Sequence, residues 1–440
     1  MINTLDEQFS SNRFIGALLI VVGTTIGAGM LALPLASTSN NFLSIVFLLV
    51  AMWGFMCMSA LISLELNLHF GKGISIAGQA RKVLGKGGAI ISSLSILVLF
   101  YALLAAYITG GTAIFKGILA KQLGLQLPKT LSPIIFTIIF GFCVSYCMKA
   151  VDYANRAILF IKAGLFIAMV AMLMPSITYK NLVTYDSGSS NNLLLAIPIF
   201  FTSFGFHGSI PGLINYVGPH RTALRKVIII GSIIPLITYI IWLSASLGVL
   251  SLAGKTSIAV TKDLGMFVSL LSEVTRSKTL NVIIDFFAFT AIVTSFLGVG
   301  VGLFDFIAEV LEFTDNSKGR IITALLTFLP PLFFALFYPN GFVIALGYAA
   351  VALAFLAVLI PVAIAVRIIG TPEELKAWYQ ERKHSTTLYE KRRLPKNGGS
   401  KNTVSTPNIE LPGGKLGLFI SFIGGMLVVL IEISKKFNML

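Results

Sequence analysis

Two glycine-rich interruptions lie inside apolar runs that are each long enough to cross a bilayer. The first, at residues 23–29, contains three glycines and two adjacent threonines. The second, at residues 203–208, combines two glycines with a serine and His207. Glycine weakens a helix interior by roughly 1 kcal/mol relative to alanine, and in lipid a broken backbone is tolerated only where it is buried in protein or lines a cavity. We therefore interpret both interruptions as candidate binding sites.

A broken helix has the backbone chemistry to hold both charges of a zwitterion such as an amino acid. The half that starts after the break offers free N–H groups and a positive dipole end to a carboxylate. The half that ends before the break offers free carbonyl oxygens to an ammonium group or a cation. The candidate substrate contacts are Thr24, Thr25, Gly27, Ala28 and Gly29 in the first interruption, and Phe201, Thr202, Ser203, Phe204, Gly205, Phe206 and His207 in the second.

Each of these candidates also has a purely structural interpretation. Gly23 and Gly27 fit a face for close helix packing in lipid, although the matching interruption near residue 203 favours a site. The three phenylalanines of the second interruption are expected to wall an aromatic ring, but the chain has 34 phenylalanines and any one of them can be ordinary core. His207 can titrate near neutral pH, contact the substrate or remain a neutral structural residue.

The elements that must position these residues follow from composition. The chain has 440 residues, of which 56% are hydrophobic and only 12% charged. Soluble proteins carry about twice that charged fraction, and apolar windows of about 20 residues are typical of membrane helices. The net charge of +15 lies mostly in short loops between apolar runs, where Lys and Arg set topology. These features predict an all-α polytopic membrane protein and argue against nucleic-acid binding.

Eleven transmembrane spans are predicted, and the distribution of Lys and Arg places the N-terminus in the cytoplasm and the C-terminus outside. The spans lie near residues 14–36, 42–66, 90–117, 132–149, 157–177, 193–217, 226–250, 280–310, 320–337, 341–366 and 415–433. The segment near 263–271 is too short to cross and is interpreted as a surface or re-entrant helix.

The two interruptions divide the chain into two halves of opposite topology. Five spans lie from one interruption to the next, and paired interruptions in inverted halves are typical of the midplane site of a secondary transporter. The predicted units are 1–12, a cytoplasmic N-terminus; 13–178, a first inverted repeat; 179–366, a second repeat; 367–414, a polar cytoplasmic loop; and 415–440, the last span and the C-terminus.

Several stretches resemble the bacterial aromatic amino acid permeases, most closely the tyrosine-specific branch. They read VGTTIGAGMLALPLA at 22–36, FTSFGFHG at 201–208, TSFLGV at 294–299, FLPP at 328–331, ALFYP at 335–339 and ALGY at 345–348. The resemblance implies a leucine-transporter-like fold of the APC superfamily, with a 5+5 inverted repeat and one extra helix. It also implies proton-coupled import of aromatic amino acids, without a cofactor or an obligatory protein partner, across the inner membrane of a bacterium. The loop at 371–412 departs from that branch, where it is usually much shorter.

Lys162 is the candidate for coupling transport to protons. An ionisable residue among apolar neighbours in span 5 is costly and marks a functional site by default, although its ammonium can also extend to the membrane surface. The resemblance adds that proton-coupled relatives have a lysine in span 5 where sodium-coupled relatives bind an ion between spans 1 and 8. Thr294 and Ser295 match the hydroxyl pair that would bind that sodium. We expect the Lys162 ammonium to replace the cation, so that a proton is the coupling ion and sodium is the less favoured one.

Two further pairs of residues complete the predicted site. A buried tyrosine needs a hydrogen-bond partner, so Tyr101 and Tyr107 of span 3 are candidates to bind the substrate carboxylate. Tyr107 has the alternative of anchoring the helix at the membrane interface. Arg13 and Asp305 have opposite charges at similar depth and are candidates for an inner gate, although Arg13 alone is explained by ordinary flanking of a span.

Competing functions remain at this stage. A sodium-coupled carrier for tryptophan or neutral amino acids is consistent with the hydroxyl pair of span 8. An intramembrane enzyme would need a nucleophile–base pair or a metal cluster, and the sequence has no HExxH or GxSxG motif. A channel would more often have a filter loop or charged rings in its pore. The sequence therefore favours a transporter over an enzyme or a channel, with no metal site expected.

Overall fold

The computed structural model describes residues 11–71, 74–146, 148–183, 192–273, 277–312, 317–370 and 409–437, and every regular element in these ranges is helical. The predicted loop at 371–412 lies largely outside the described residues. The helices are α1 (Ser11–Thr25), α2 (Gly29–Ser37), α3 (Phe42–Phe70), α4 (Ile76–Leu123), α5 (Leu131–Tyr146), α6 (Met148–Leu173), α7 (Tyr179–Val183), α8 (Asn192–Ser203), α9 (Ile210–Val217), α10 (Arg221–Val249), α11 (Leu252–Thr261), α12 (Leu264–Glu273), α13 (Lys278–Val310), α14 (Ser317–Phe337), α15 (Phe342–Leu353), α16 (Ile360–Gly370) and α17 (Gly414–Lys436).

Most of these helices are membrane spans by length and composition. Within the described ranges nine helical segments are long and apolar enough to cross a membrane, and the bent pair α1–α2 passes the same test as one span. The prediction of a polytopic helical membrane protein is thus confirmed. At the predicted fourth span, α5 has 16 residues and is shorter than the others; the count of eleven spans stays a prediction.

Both glycine-rich interruptions break their helices, as the sequence predicts. The first span bends by 48° between the end of α1 and the start of α2. The second break separates α8 from α9, with a short 3₁₀ turn at His207–Ser209 between them. Each break therefore brings irregular backbone inside a segment that the apolar pattern alone would make continuous.

The helix α4 begins earlier than the predicted span 3, because a turn at a single glycine joins a short helix to the span. Gly85 has φ +77°, a conformation that favours glycine, and it separates residues 76–84 from the long membrane-spanning part of α4. Ser75 caps the short part by accepting a hydrogen bond from Gly78 N, and Gly124 ends the helix in the left-handed region. The predicted span at 90–117 lies within this longer element.

The helices that carry the two breaks pack against several neighbours: α8 contacts α2, α3 and α15, and α1 contacts α10. α4 packs against α13 and α15, while α10 packs against α1 and α3. The last span, α17, packs along a π-helical segment at 354–359 that joins α15 to α16. π segments widen a helix locally and occur often near functional sites. The short helix α12 occupies the segment that the sequence predicts to be too short to cross.

A buried carboxylate on α3 organises charges at the end of the bundle where α10 begins. The Glu65 side chain is fully buried and pairs with Arg225 at 2.8 Å and with Arg221 at 3.1 Å. Both arginines also pair with the carboxylate of Glu410, at 3.2 Å and 3.0 Å. Arg225 Nη2 also donates to the Glu410 backbone carbonyl at 2.9 Å. This charged cluster ties the segment before α17 to α3 and α10.

Replacement of Glu65 by glutamine should destabilise the protein, because it leaves two arginines with one carboxylate between them. Loss of a partner from a buried polar group costs about 1–3 kcal/mol, so Glu65→Gln should lower the midpoint of thermal unfolding in detergent. Glu309→Gln, at an exposed carboxylate of α13, is the matched control. Equal unfolding midpoints for the two variants would contradict this role.

Candidate functional site

The first break presents its backbone to two other helices. Ser295 of α13 accepts a hydrogen bond from Ala28 N at 3.0 Å. A Cβ atom at Gly27 would lie 2.6 Å from the Ser295 hydroxyl, so the close approach of α13 requires glycine at this position. The hydroxyls of Thr24 and Thr25 donate to carbonyls of their own helix, at 2.8 Å and 2.7 Å. At this break the backbone is therefore more available for binding than the threonine side chains.

Lys162 reaches the same break from α6. Its side chain is buried, with 4% of the residue exposed, and the ammonium donates to the Ile26 carbonyl at 2.6 Å. A lysine that extended to the membrane surface would be exposed and could not make this bond. The cation therefore lies against one of the carbonyl oxygens that the broken helix leaves without an intrahelical partner.

The two hydroxyl residues of span 8 have different surroundings. Thr294 donates to Thr290 O and Ala291 O of its own helix, at 3.0 Å and 3.2 Å. Ser295 also donates to Ala291 O at 3.0 Å, but its oxygen simultaneously accepts from Ala28 N of the first break. Of the predicted pair, Ser295 is thus the residue in direct contact with span 1.

The second break lies directly against the first. Ser203, the last residue of α8, has its hydroxyl 3.3 Å from the Gly29 carbonyl and 2.8 Å from Ile199 O. A Cβ atom at Gly29 would lie 3.4 Å from the Ser203 Cα. Thr202 donates to Pro198 O within α8. The two interruptions that the sequence places far apart therefore form one site.

Tyr239 of α10 joins the two breaks and was not among the predicted residues. Its fully buried hydroxyl lies 2.7 Å from the Thr25 carbonyl and 2.9 Å from the Ser203 carbonyl. These carbonyls end α1 and α8, and the one phenol bonds to both, while the Thr25 carbonyl also accepts from Gly27 N at 3.0 Å. One turn further along α10, Trp242 donates to Met30 O of α2 at 3.0 Å. The sequence signal that could have indicated them is the presence of a tyrosine and a tryptophan in one apolar span. When buried, both side chains need hydrogen-bond partners.

The tyrosines of span 3 lie in different places. Tyr107 is buried and its hydroxyl lies close to Ser295 and Tyr239. Tyr101 is half-buried and donates to the Leu326 carbonyl of α14 at 2.8 Å. The structure therefore brings Tyr107 to the paired breaks and directs the Tyr101 hydroxyl to a neighbouring helix.

The aromatic residues of the second break are all buried. The ring of Phe204 lies 5.3 Å from that of Tyr239 and the ring of Phe201 lies 6.1 Å from that of Phe55. Phe206 and His207 are 5.5 Å apart, and neither ring nitrogen of His207 has a hydrogen-bond partner among the described residues. Gly205 packs closely against Leu353 of α15. The site thus combines apolar walls with one polar ring that lacks a partner.

The predicted inner gate is not closed by an ion pair in the structure. Arg13 and Asp305 are both exposed, and no ion pair joins them in the described part of the chain. The gate stays a prediction. Asp285 of α13, for which the sequence suggests no role, pairs with Lys121 at the end of α4 at 3.2 Å.

The arrangement has the donors and acceptors that a zwitterion needs. Two carbonyl oxygens, those of Thr25 and Ser203, converge on one point, and an ammonium group has three protons to offer such acceptors. Backbone N–H groups at the start of α2 supply a positive dipole end. Phe204 borders the same region with an apolar ring, 5.3 Å from that of Tyr239. These features suit a small amphipathic molecule that carries both charges.

Comparison with known proteins identifies the relatives of this chain. The model of the tryptophan/tyrosine permease family matches residues 10–373. The chain belongs to this family. The tyrosine-specific transport system 1 of Haemophilus influenzae is 38% identical over 80% of this chain and 88% of the relative. The tryptophan-specific transport protein of Pseudomonas aeruginosa is 36% identical over 79% and 84%.

The family membership agrees with the helical architecture. Relatives are named as permeases and transport proteins and not as enzymes, which confirms the prediction that the chain is not an enzyme. Membership of this family, together with the apolar helices, shows that the permease is a multi-pass inner-membrane protein. The family match ends at residue 373, so that α17 lies beyond it.

The variant Tyr239→Phe tests whether the hydroxyl holds the two breaks together. It leaves two buried carbonyl oxygens without their shared donor, so we expect the uptake rate to fall by about tenfold or more, the effect of about 1.4 kcal/mol. Tyr348→Phe removes a hydroxyl from an exposed tyrosine of α15 and is the control. KM and kcat of uptake in proteoliposomes provide the measurement. Wild-type values for Tyr239→Phe would show that the bond does not shape the site.

Proposed function

We propose that this permease imports aromatic amino acids, with tyrosine the favoured substrate, in symport with protons. The observation that carries the proposal is the contact of the Lys162 ammonium with the Ile26 carbonyl inside the first of two paired breaks. An ammonium group from the chain itself occupies backbone that a broken helix would otherwise offer to an ion. Family membership supports the substrate class, since relatives are named as tyrosine- or tryptophan-specific.

The proposed substrate pose follows from the backbone. The ammonium group binds the carbonyls of Thr25 and Ser203 beside the Tyr239 hydroxyl, because both oxygens converge on this point and each carbonyl oxygen has two lone pairs. The carboxylate lies at the start of α2 and is attracted by the positive dipole end of this helix, since Met30 N and Leu31 N already donate to Gly27 O and Ala28 O. The Tyr107 hydroxyl is its proposed hydrogen-bond donor. The aromatic ring lies between Phe201 and Phe204, where ring–ring contacts add to burial.

Coupling is proposed to act through Lys162. The protonated side chain neutralises the carbonyl end of α1 and holds Ile26 in its broken conformation. When the ammonium releases its proton, the positive charge beside the Ile26 carbonyl disappears. The weaker contact allows the first break to change conformation. A proton that must bind outside and leave inside would in this way drive the substrate in one direction.

The proposed fold is the leucine-transporter-like 5+5 inverted repeat of the APC superfamily, with α17 as the extra helix. Its support is the pairing of breaks in spans of opposite direction. The N-terminus is proposed to lie in the cytoplasm and the C-terminus outside, so that the Glu65 charged cluster lies on the inner face. The inner gate of Arg13 and Asp305 would form on the same face in another conformation.

The variant Lys162→Met should abolish the stimulation of uptake by an inward proton gradient and retain much of the substrate binding. Methionine fills a similar volume but has no proton to donate to Ile26 or to release. Lys226→Met, at an exposed lysine of α10, is the control for loss of one positive charge. Uptake is measured in proteoliposomes with and without an imposed pH gradient, and full proton-driven uptake by Lys162→Met would refute the coupling.

A second candidate is sodium coupling, and the observation that favours it is the Ser295 hydroxyl at the first break. A sodium ion there would take oxygen ligands from Ser295 and Thr294 and from the carbonyl that Lys162 now contacts. Uptake measured after removal of sodium, and separately after collapse of the proton gradient, distinguishes the two. We expect loss only in the second condition.

Competition between tyrosine, tryptophan and phenylalanine for binding to the purified permease should show tyrosine as the strongest ligand. Identities of 38% and 36% to tyrosine- and tryptophan-specific relatives are too close to decide between them. If the ring hydroxyl has a hydrogen-bond partner in the site, phenylalanine should bind at least about a hundredfold more weakly. Equal affinities for the three would limit the proposal to a general aromatic permease.

A further inference from the structure

A large cavity opens at the end of the bundle opposite the Glu65 charged cluster. It has a volume of about 930 Å³, within the range of small-molecule sites. The last turns of α4, the α11–α12 turn and the hairpin between α14 and α15 line it. Thr109 and Thr112, which line the cavity, follow Tyr107 along α4, so the cavity lies above the paired breaks. In the proposed orientation it faces the outside of the cell.

The charges of this outer cavity are predominantly positive. Lys116, Lys129 and Lys262 line it together with one acidic residue, Asp263. Lys116 and Lys129 form no ion pair with any residue that the structure describes. A cleft lined by one sign of charge raises the local concentration of ligands that carry the opposite sign. The cavity therefore favours a ligand with a carboxylate or another anionic group.

A second polar group in the cavity is independent of the lysines. Thr112 is only 8% exposed, and its hydroxyl has no hydrogen-bond partner among the described residues. An unpaired buried hydroxyl is costly unless something supplies its partner. Most hydroxyls on the membrane helices here donate to a carbonyl of their own helix, as Thr109 does at 2.8 Å. Thr112 shares its lack of a partner among the described residues with Thr137 and Ser421, but of the three it alone lines the cavity, where a group of a ligand can supply the partner.

The far wall of the cavity is aromatic. Phe337 and Tyr338 line it, and they are 77% and 57% exposed. Tyr338 is held by a stacked contact with Phe334 at 5.2 Å and by a tight turn in which Gly341 N donates to its carbonyl at 2.9 Å. Rigid exposed aromatic rings beside charged groups suit a ligand that is both aromatic and charged.

We propose that the outer cavity is a second binding site for the transported aromatic amino acid, occupied before the substrate reaches the paired breaks. The carboxylate lies between Lys116 and Lys129 and accepts from the Thr112 hydroxyl. The ring packs on Tyr338, and the ammonium faces Asp263, which still caps α12 through Met266 N at 2.9 Å. This inference rests on the proposed function, because it takes the same substrate.

We expect the outer cavity to bind the substrate only weakly. Exposed ion pairs contribute little, so each lysine should change the affinity by roughly two- to fivefold. The substrate can then leave the outer cavity for the central site. The lysines should act on the apparent KM and on its dependence on ionic strength, because salt screens exposed charges, and they should leave kcat unchanged.

The test compares the double variant Lys116→Gln/Lys129→Gln with Lys278→Gln, which removes an exposed lysine at the same end of the bundle outside the cavity. Tyrosine uptake is measured in proteoliposomes at low and high salt. We expect the double variant to raise KM by about fourfold or more, to lose the salt dependence and to keep kcat, while Lys278→Gln resembles the wild type. An unchanged KM with wild-type salt dependence in the double variant would overturn the proposal.

A neutral variant and a binding measurement separate this site from general effects of charge. Thr112→Val keeps shape and charge but removes the hydroxyl, and it should also raise KM. Equilibrium binding of labelled tyrosine to the purified permease should show a second, weaker equivalent that the double variant loses. A single equivalent in both proteins overturns the outer site and leaves the proposed function standing. Failure of the wild type to take up any aromatic amino acid would instead overturn the proposed function, and this inference with it.

Discussion

One phenolic hydroxyl connects the two broken helices of this permease. The Tyr239 hydroxyl is shared by the carbonyls that end α1 and α8, at 2.7 Å and 2.9 Å. A backbone carbonyl without a partner is expensive at membrane depth, and this hydroxyl is a partner to the ends of two helices at once. It therefore fixes the ends of α1 and α8 against each other. In the proposed pose the substrate ammonium binds the same pair of oxygens, so that the stability of the empty site and its affinity for the ligand would depend on them together.

Lys162 provides the donor for another backbone carbonyl of the first break. The Ile26 carbonyl receives the ammonium at 2.6 Å, while Ala28 N is received by Ser295 at 3.0 Å. Two of the three residues between α1 and α2, Ile26 and Ala28, are thus bonded to two different helices, α6 and α13. Water cannot replace these hydrogen bonds inside the membrane. Movement of either helix must therefore be accompanied by rearrangement of the break. In the proposed coupling, this linkage lets a change of charge at Lys162 alter the backbone of the first break.

The breaks could be predicted from sequence because glycine acts locally, and both Gly27 and Gly205 lie where the helices end. Their pairing also followed, from the number of spans between them. Tyr239 could not be predicted in the same way, since its two acceptors are distant in sequence and an aromatic residue in an apolar span is most often core. The same holds for Glu65, whose partners lie on α10 and before α17. The turn at Gly85 was not predicted. The short helix before it is polar and the membrane span after it is apolar, so no common apolar periodicity runs through both to indicate that they are joined.

The Glu65 charged cluster has a consequence for how this chain can diverge. The polypeptide leaves the bundle at the end of α16 and is fastened again at Glu410 by two ion pairs, to the two arginines that also pair with Glu65. With both ends fixed, lengthening the connection costs only about 0.6 kcal/mol for each doubling. New segments can therefore be inserted between residues 370 and 409 with little effect on the transport core. The cluster makes that connection a permissive place for evolution to add sequence, independent of what the helices do.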